Sequence, residues 1–100
     1  MFKLVALYKT PKDIAAFEKH YQEVHMPITL KIPKIKEVRV NRVFGSPMGK
    51  SDYYLQAEIC FNSKEDFKEA MKTPEAAASG KDAMQFAGDI LTVFFAEETK

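Results

Sequence analysis

One hundred residues, 46% hydrophobic and 29% charged with a net charge of +1, have the balance of one folded domain and not of a disordered chain. The lysines and arginines are scattered among nearly as many acids, so the basic footprint of a nucleic-acid binder is missing. The single Cys60 permits no internal disulfide and suits a reducing, cytoplasmic setting, and no apolar run approaches a membrane span in length.

Phe2, Leu4, Ala6 and Tyr8 alternate with Lys3, Val5, Leu7 and Lys9, the period of a strand with apolar residues on both sides. Thr10 and Pro11 end it, and Asp13 stands where a helix dipole favours an acid. Ile14, Phe17, Tyr21, Val24 and Ile28 then recur at three- and four-residue spacing as one apolar helical stripe. Pro27 disfavours helical geometry at Met26, so this helix is expected to end near His25. Residues 35–44, IKEVRVNRVF, are β-branched and alternating, a second strand. GSPMGKSD at 45–52 reads as a long loop between antiparallel strands. In residues 53–61, Tyr53, Leu55, Ala57, Ile59 and Phe61 oppose Tyr54, Gln56, Glu58 and Cys60, a third strand whose faces differ in polarity.

Ser63 and Asp66 resemble a capping box ahead of Phe67, Ala70 and Met71. Thr73-Pro74-Glu75 opens a further helix, which Gly80 is placed to interrupt. Residues 90–96, ILTVFFA, are apolar on both faces apart from Thr92, as a strand covered on both sides would be.

The order βαββαβ is that of the ferredoxin-like α+β fold, here a single domain over residues 1–100: an antiparallel sheet, strands one and three central, helices on one face. The helices cover one face only, yet the first and last strands are apolar on both. The open face therefore predicts a homodimer formed sheet to sheet, with a cavity between sheet and helices or between the sheets.

Glu58 is expected on that open face, where a covering partner would desolvate it toward general acid or base work. Its plainer role is an ion pair with Arg39 or Arg42. At α-helical pitch His20 and His25 fall about 140° apart, so they are not expected to act as a pair. His25 lies on the apolar stripe and is a candidate acid, base or hydrogen-bond donor, or a histidine bonded to a loop carbonyl. His20 reads as a boundary residue. No third ligand of suitable spacing joins either ring, and glycine-rich turns, phosphate loops and nucleophile elbows are missing, so neither a metal nor a cofactor is expected. Tyr8, Tyr21 and Tyr54, with Gln56 and Arg39, are the candidate substrate-binding residues around an apolar pocket, to which Phe94 and Phe95 add aromatic surface.

Four stretches carry a family resemblance: KLVALYK at 3–9, FxxHYxxxHxP at 17–27, Pro33, and TPEAAASGKDAMQFA at 73–87. On these the chain resembles the EthD family of dimeric α+β barrels, named for a protein required for bacterial degradation of ethyl tert-butyl ether. Related barrels include cofactor-free monooxygenases, polyketide cyclases, muconolactone isomerases and dehydratases. The resemblance implies dimerisation through the sheets and a cavity lined by the residue matching His25; AGDI at 87–90 departs from the more glycine-rich family pattern. The expected function is cofactor-independent oxidation, isomerisation or dehydration of a small hydrophobic, oxygenated molecule by His25 and Glu58. The alternative is a non-catalytic small-molecule binder or accessory protein of an oxygenase system.

Overall fold

Four antiparallel strands frame the structure, a computed structural model that describes all 100 residues. The elements are β1 (Phe2–Lys9), α1 (Ile14–His20), a π-helical turn (Tyr21–His25), α2 (Met26–Thr29), β2 (Glu37–Arg42), β3 (Tyr53–Phe61), α3 (Lys64–Met71), α4 (Pro74–Ala87) and β4 (Leu91–Glu97). The strand order is β2-β3-β1-β4, so β1 and β3 are central and the fold is the expected ferredoxin-like one. No helix is long and apolar enough to cross a membrane.

Cross-strand register sorts the side chains. Tyr8, Leu55 and Ala57 pack with Phe17 and Tyr21 of the first helix and with Ala87 of α4, while Ile59 and Phe61 pack with Ile32 and with Ala70 of α3. The alternate residues Lys3, Val5, Leu7, Gln56 and Glu58 face the open side, where Val5 sits opposite both Glu58 and Phe94. Between Tyr8 and Lys9 the pairing with β3 slips by one residue. This bulge frees Tyr54 from the alternation, so its ring meets Phe17 edge-on at 5.9 Å.

Three helix starts follow their sequence signals. Asp13 accepts a hydrogen bond from the Ala16 amide at 3.0 Å, Ser63 from Asp66 at 3.1 Å, and Thr73 from Ala76 at 3.2 Å with Pro74 in the first turn. Gly80 does not interrupt α4, which runs unbroken from Pro74 to Ala87. The second strand is shorter than residues 35–44, and Phe44 lies beyond it, fully exposed with Met48 on the following loop.

The first helix also departs from expectation. It does not end at His25 but continues through Pro27 to Thr29. The Met26 amide donates to the Tyr21 carbonyl five residues back, the bond of a π-helix. Widening the helix one turn before Pro27 relieves the clash between its ring and a carbonyl of the preceding turn. β4 is the other surprise. Val93 and Phe95 lie on its helix-side face, yet they are 48% and 66% exposed. The helices roof the central strands and leave this edge bare.

Candidate active site

The π-helical turn decides where the histidines point. In a helix closed by i→i+5 bonds, a residue and the fifth after it come nearly into line, so His20 and His25 share a face. Both reach one carboxylate on α4. The His20 Nε2 lies 3.0 and 3.1 Å from the two oxygens of Asp82, and the His25 Nδ1 lies 2.9 Å from its Oδ2. The expectation that the two rings act independently is therefore overturned, because uniform α-helical pitch does not hold between them.

A second chain of bonds leaves the far side of His25. Its Nε2 is 3.3 Å from Thr29 Oγ1, which is 2.7 Å from Ser79 Oγ. An ionised carboxylate only accepts hydrogen bonds, so Asp82 holds the neutral His25 with the proton on Nδ1 and the lone pair on Nε2. His25, Thr29 and Ser79 are all buried, with His25 only 7% exposed. His20 is nearer solvent and stacks on Phe86 at 4.3 Å, which fixes its ring against α4.

Burial pushes His25 below its ordinary pKa of 6.5, and the Asp82 carboxylate offsets only part of that cost. The ring is thus held as a free base at neutral pH. Burial likewise drives Tyr8 upward and Tyr21 up to about 12, so both phenols stay protonated at neutral pH. A stability effect follows from His25. Its folded pKa is depressed, so below about pH 6.5 the unfolded chain binds more protons, and stability present above that pH is lost as pH falls through the folded value. Urea midpoints from pH 7.5 to pH 5 are expected to fall less steeply in His25→Gln than in the native chain; parallel curves would assign the loss to other groups.

Between the sheet and the helices lies a cavity of about 270 Å³. Ala76, Ser79, Gly80 and Ala83 face it from α4, and their small side chains leave the space that a leucine-rich helix would fill. Leu4, Ala6, Ala57 and Ile59 form the sheet wall; His25, Thr29 and Ser79 form the polar end, with Tyr8 and Tyr21 beside them. Val93 and Phe95 line the cavity while remaining exposed, so it opens along β4.

Of the residues singled out from sequence, His25, Tyr8 and Tyr21 meet in this cavity. Glu58, Gln56 and Arg39 do not. Glu58 lies across the sheet, 3.4 Å from Lys3 Nζ and 3.9 Å from Arg39, the ion-pair role that was its plainer reading. Tyr54 donates to Glu18 on α1, whose carboxyl Arg42 holds down at a pKa of about 2. The pairing of Glu58 with His25 at one site thus gives way to Asp82, which sequence reasoning missed. The available signal was a lone acid at i+3 from Ser79 on a stripe otherwise made of Ala76, Ala83 and Ala87. No group of three or more His, Cys, Asp or Glu side chains is arranged to hold a metal ion.

Fold and site together define a ferredoxin-like α+β protein in which a buried histidine, held from behind by a part-buried carboxylate, lines an apolar cavity. Its sequence assigns the family: the EthD domain model matches residues 9–90, and the chain belongs to that family. An EthD-family protein of Bacillus halodurans is 48% identical, with a TM-score of 0.93 over 99% of each chain. An uncharacterised 11.0 kDa protein of the thcB-thcC intergenic region in Rhodococcus erythropolis is 29% identical over 98% of this chain and 95% of its own. Two more distant structures share the fold. A dimeric ferredoxin-like protein of Bacteroides fragilis is 20% identical, with a TM-score of 0.57 over 97% of this chain and 95% of its own. SnoaB, a cofactor-independent oxygenase of Streptomyces nogalater, is 14% identical, with a TM-score of 0.65 over 99% of this chain and 91% of its own.

Proposed function

We propose that this chain is an acid–base enzyme of small-molecule catabolism in which His25 removes a proton from a compact, mostly apolar, oxygenated substrate. The observation that carries the reading is the buried His25, held through Nδ1 by the part-buried Asp82, with its ring lining an apolar cavity and its Nε2 carrying only the contact to Thr29. Thr29 is a long partner for Nε2 at 3.3 Å, one that a substrate C–H or O–H can displace. The pair of electrons left on the substrate moves to its oxygen, toward the hydroxyls of Thr29, Ser79 and Tyr8. Asp82 stabilises the imidazolium, which then returns the proton at another atom or to a departing hydroxide. Proton removal is the step that isomerisation, dehydration and attack by dioxygen on an electron-rich anion have in common.

The test needs no prior substrate. Small ketones, phenols and hydroxy-ketones in deuterated buffer are followed by proton NMR, with exchange expected for one class and lost in His25→Gln at unchanged circular dichroism. Exchange that persists in His25→Gln removes the residue from the chemistry. Tight binding with no exchange for any class favours a non-catalytic carrier.

We further infer that two copies meet through the open sheet face. Supporting this are the apolar side chains of Leu7 on a central strand and Phe94 on the edge strand, both on that face, and the dimeric state of the Bacteroides fragilis relative in fold. Lys3, Arg39 and Glu58 then serve as an ionic border to the interface.

A further inference from the structure

A second concavity, of about 530 Å³, lies outside the cavity between α3 and β4. Phe67 and Phe95 form its floor, edge to face at 4.9 Å. Lys64, Lys68 and Lys72 rim it at four-residue spacing, one face of α3 and its cap, while Asp66 and Glu69 turn away to Lys34 at 3.7 and 3.1 Å. None of the three rim lysines has an acidic partner within 4 Å. Lys3, which also borders the groove, is taken by Glu58 and Glu98 at 3.4 and 2.9 Å. The one acid in the lining is Glu97, at the sheet edge. The groove thus pairs an apolar floor with uncompensated positive charge.

It is also continuous with the site. Met71 and Phe95 line both the groove and the His25 cavity, so these two side chains are the partition between them. Phe95 stands on the unroofed edge strand, and methionine is the most adaptable apolar side chain. We propose that groove and cavity form one binding site for a free amphiphilic monocarboxylate. The carboxylate rests on the lysine rim, and the apolar chain passes between Met71 and Phe95 to bring an oxygenated carbon to His25. The substrate class is then an apolar oxo- or hydroxy-carboxylate, a statement that rests on the acid–base reading of His25.

Octanoate and 1-octanol, equal in chain length and different in charge, test the proposal by calorimetry on the full chain. Octanoate is expected to bind about tenfold tighter at low ionic strength, an advantage that salt erodes. Lys64→Gln/Lys68→Gln/Lys72→Gln is expected to bring octanoate to the level of octanol and leave octanol unchanged. Gly80→Leu, which fills the cavity from α4, is expected to weaken both. Equal affinities in the native chain, or a preference that survives loss of the lysines, overturns the rim. Octanoate binding that survives Gly80→Leu overturns the passage into the cavity.

Co-sedimentation with phosphatidylglycerol vesicles is expected to leave the chain in solution; pelleting would reassign the lysines to a membrane surface and overturn the proposal. Octanoate affinity that drops as protein concentration rises would mean that a second copy fills the groove, which overturns the proposal equally. His25→Gln is expected to keep the octanoate preference, so the binding claim is decided apart from the acid–base role.

Discussion

Replacing Asp82 with Asn is expected to lower turnover about 10²- to 10⁴-fold, the range that general acid–base groups supply. The amide keeps the size and reach of the carboxylate and can still accept from His25, so the fold survives. What it lacks is the negative charge that stabilises the imidazolium once His25 takes a proton. The 2.9 Å contact to Nδ1 is the structural basis. Asp82→Ala goes further, because it strands a ring N–H that is largely withdrawn from water. An orphaned buried donor costs about 1–3 kcal/mol, and His20, nearer solvent, adds less. Urea unfolding and turnover on whichever compound exchanges deuterium separate the two variants. Asn with native turnover would leave the His–Asp–His arrangement a purely structural clamp.

Phe94→Glu is expected to take the protein from dimer to monomer at micromolar concentration. Phe94 is 43% exposed in one copy and sits opposite Val5 on the open side of the edge strand β4. Full burial of a Phe contributes about 1.5–3 kcal/mol, of which the remaining 43% exposure leaves roughly 0.6–1.3 kcal/mol per copy, counted twice by two-fold symmetry. Roughly 1.3–2.6 kcal/mol corresponds to about 10- to 10²-fold in Kd, to which the desolvation of the introduced carboxylate adds. Sedimentation velocity across a dilution series, with circular dichroism as the check on folding, reads the change. A dimer of undiminished affinity would place the interface elsewhere, on the β4 edge or on the loop carrying Phe44 and Met48.

The frame of the molecule is readable from residue patterns because strand alternation and helix caps are local. Lys3 to Lys9 and Tyr53 to Phe61 alternate with period two, and Asp13, Ser63 and Thr73 each bond the third amide onward. The site is less readable because it depends on departures from regularity. Counting 100° per residue separates His20 from His25, and only the i→i+5 bond from Met26 to Tyr21 brings them together. Tyr54 belongs by alternation to the open face, but the bulge beside Lys9 delivers it to Glu18. Asp82 looks like one more solvated acid on an alanine-rich helix until the helix opposite supplies two imidazoles. Glu58 shows the converse error: its placement on the open face follows from alternation, and its partnership with His25 does not.

The wide turn at Tyr21 to His25 changes what must be inherited for the site to persist. A substitution at Gln22 or Glu23, both exposed, leaves the spacing of the two rings intact. Relaxation of the turn to ordinary pitch at unchanged length swings His25 about 140° around the helix from His20 and away from Asp82, while loss of one residue restores the pitch with a four-residue spacing that keeps both rings on one face. The match between chain length and helical pitch across these positions, and not only the identity of any side chain, is the quantity that holds this site together.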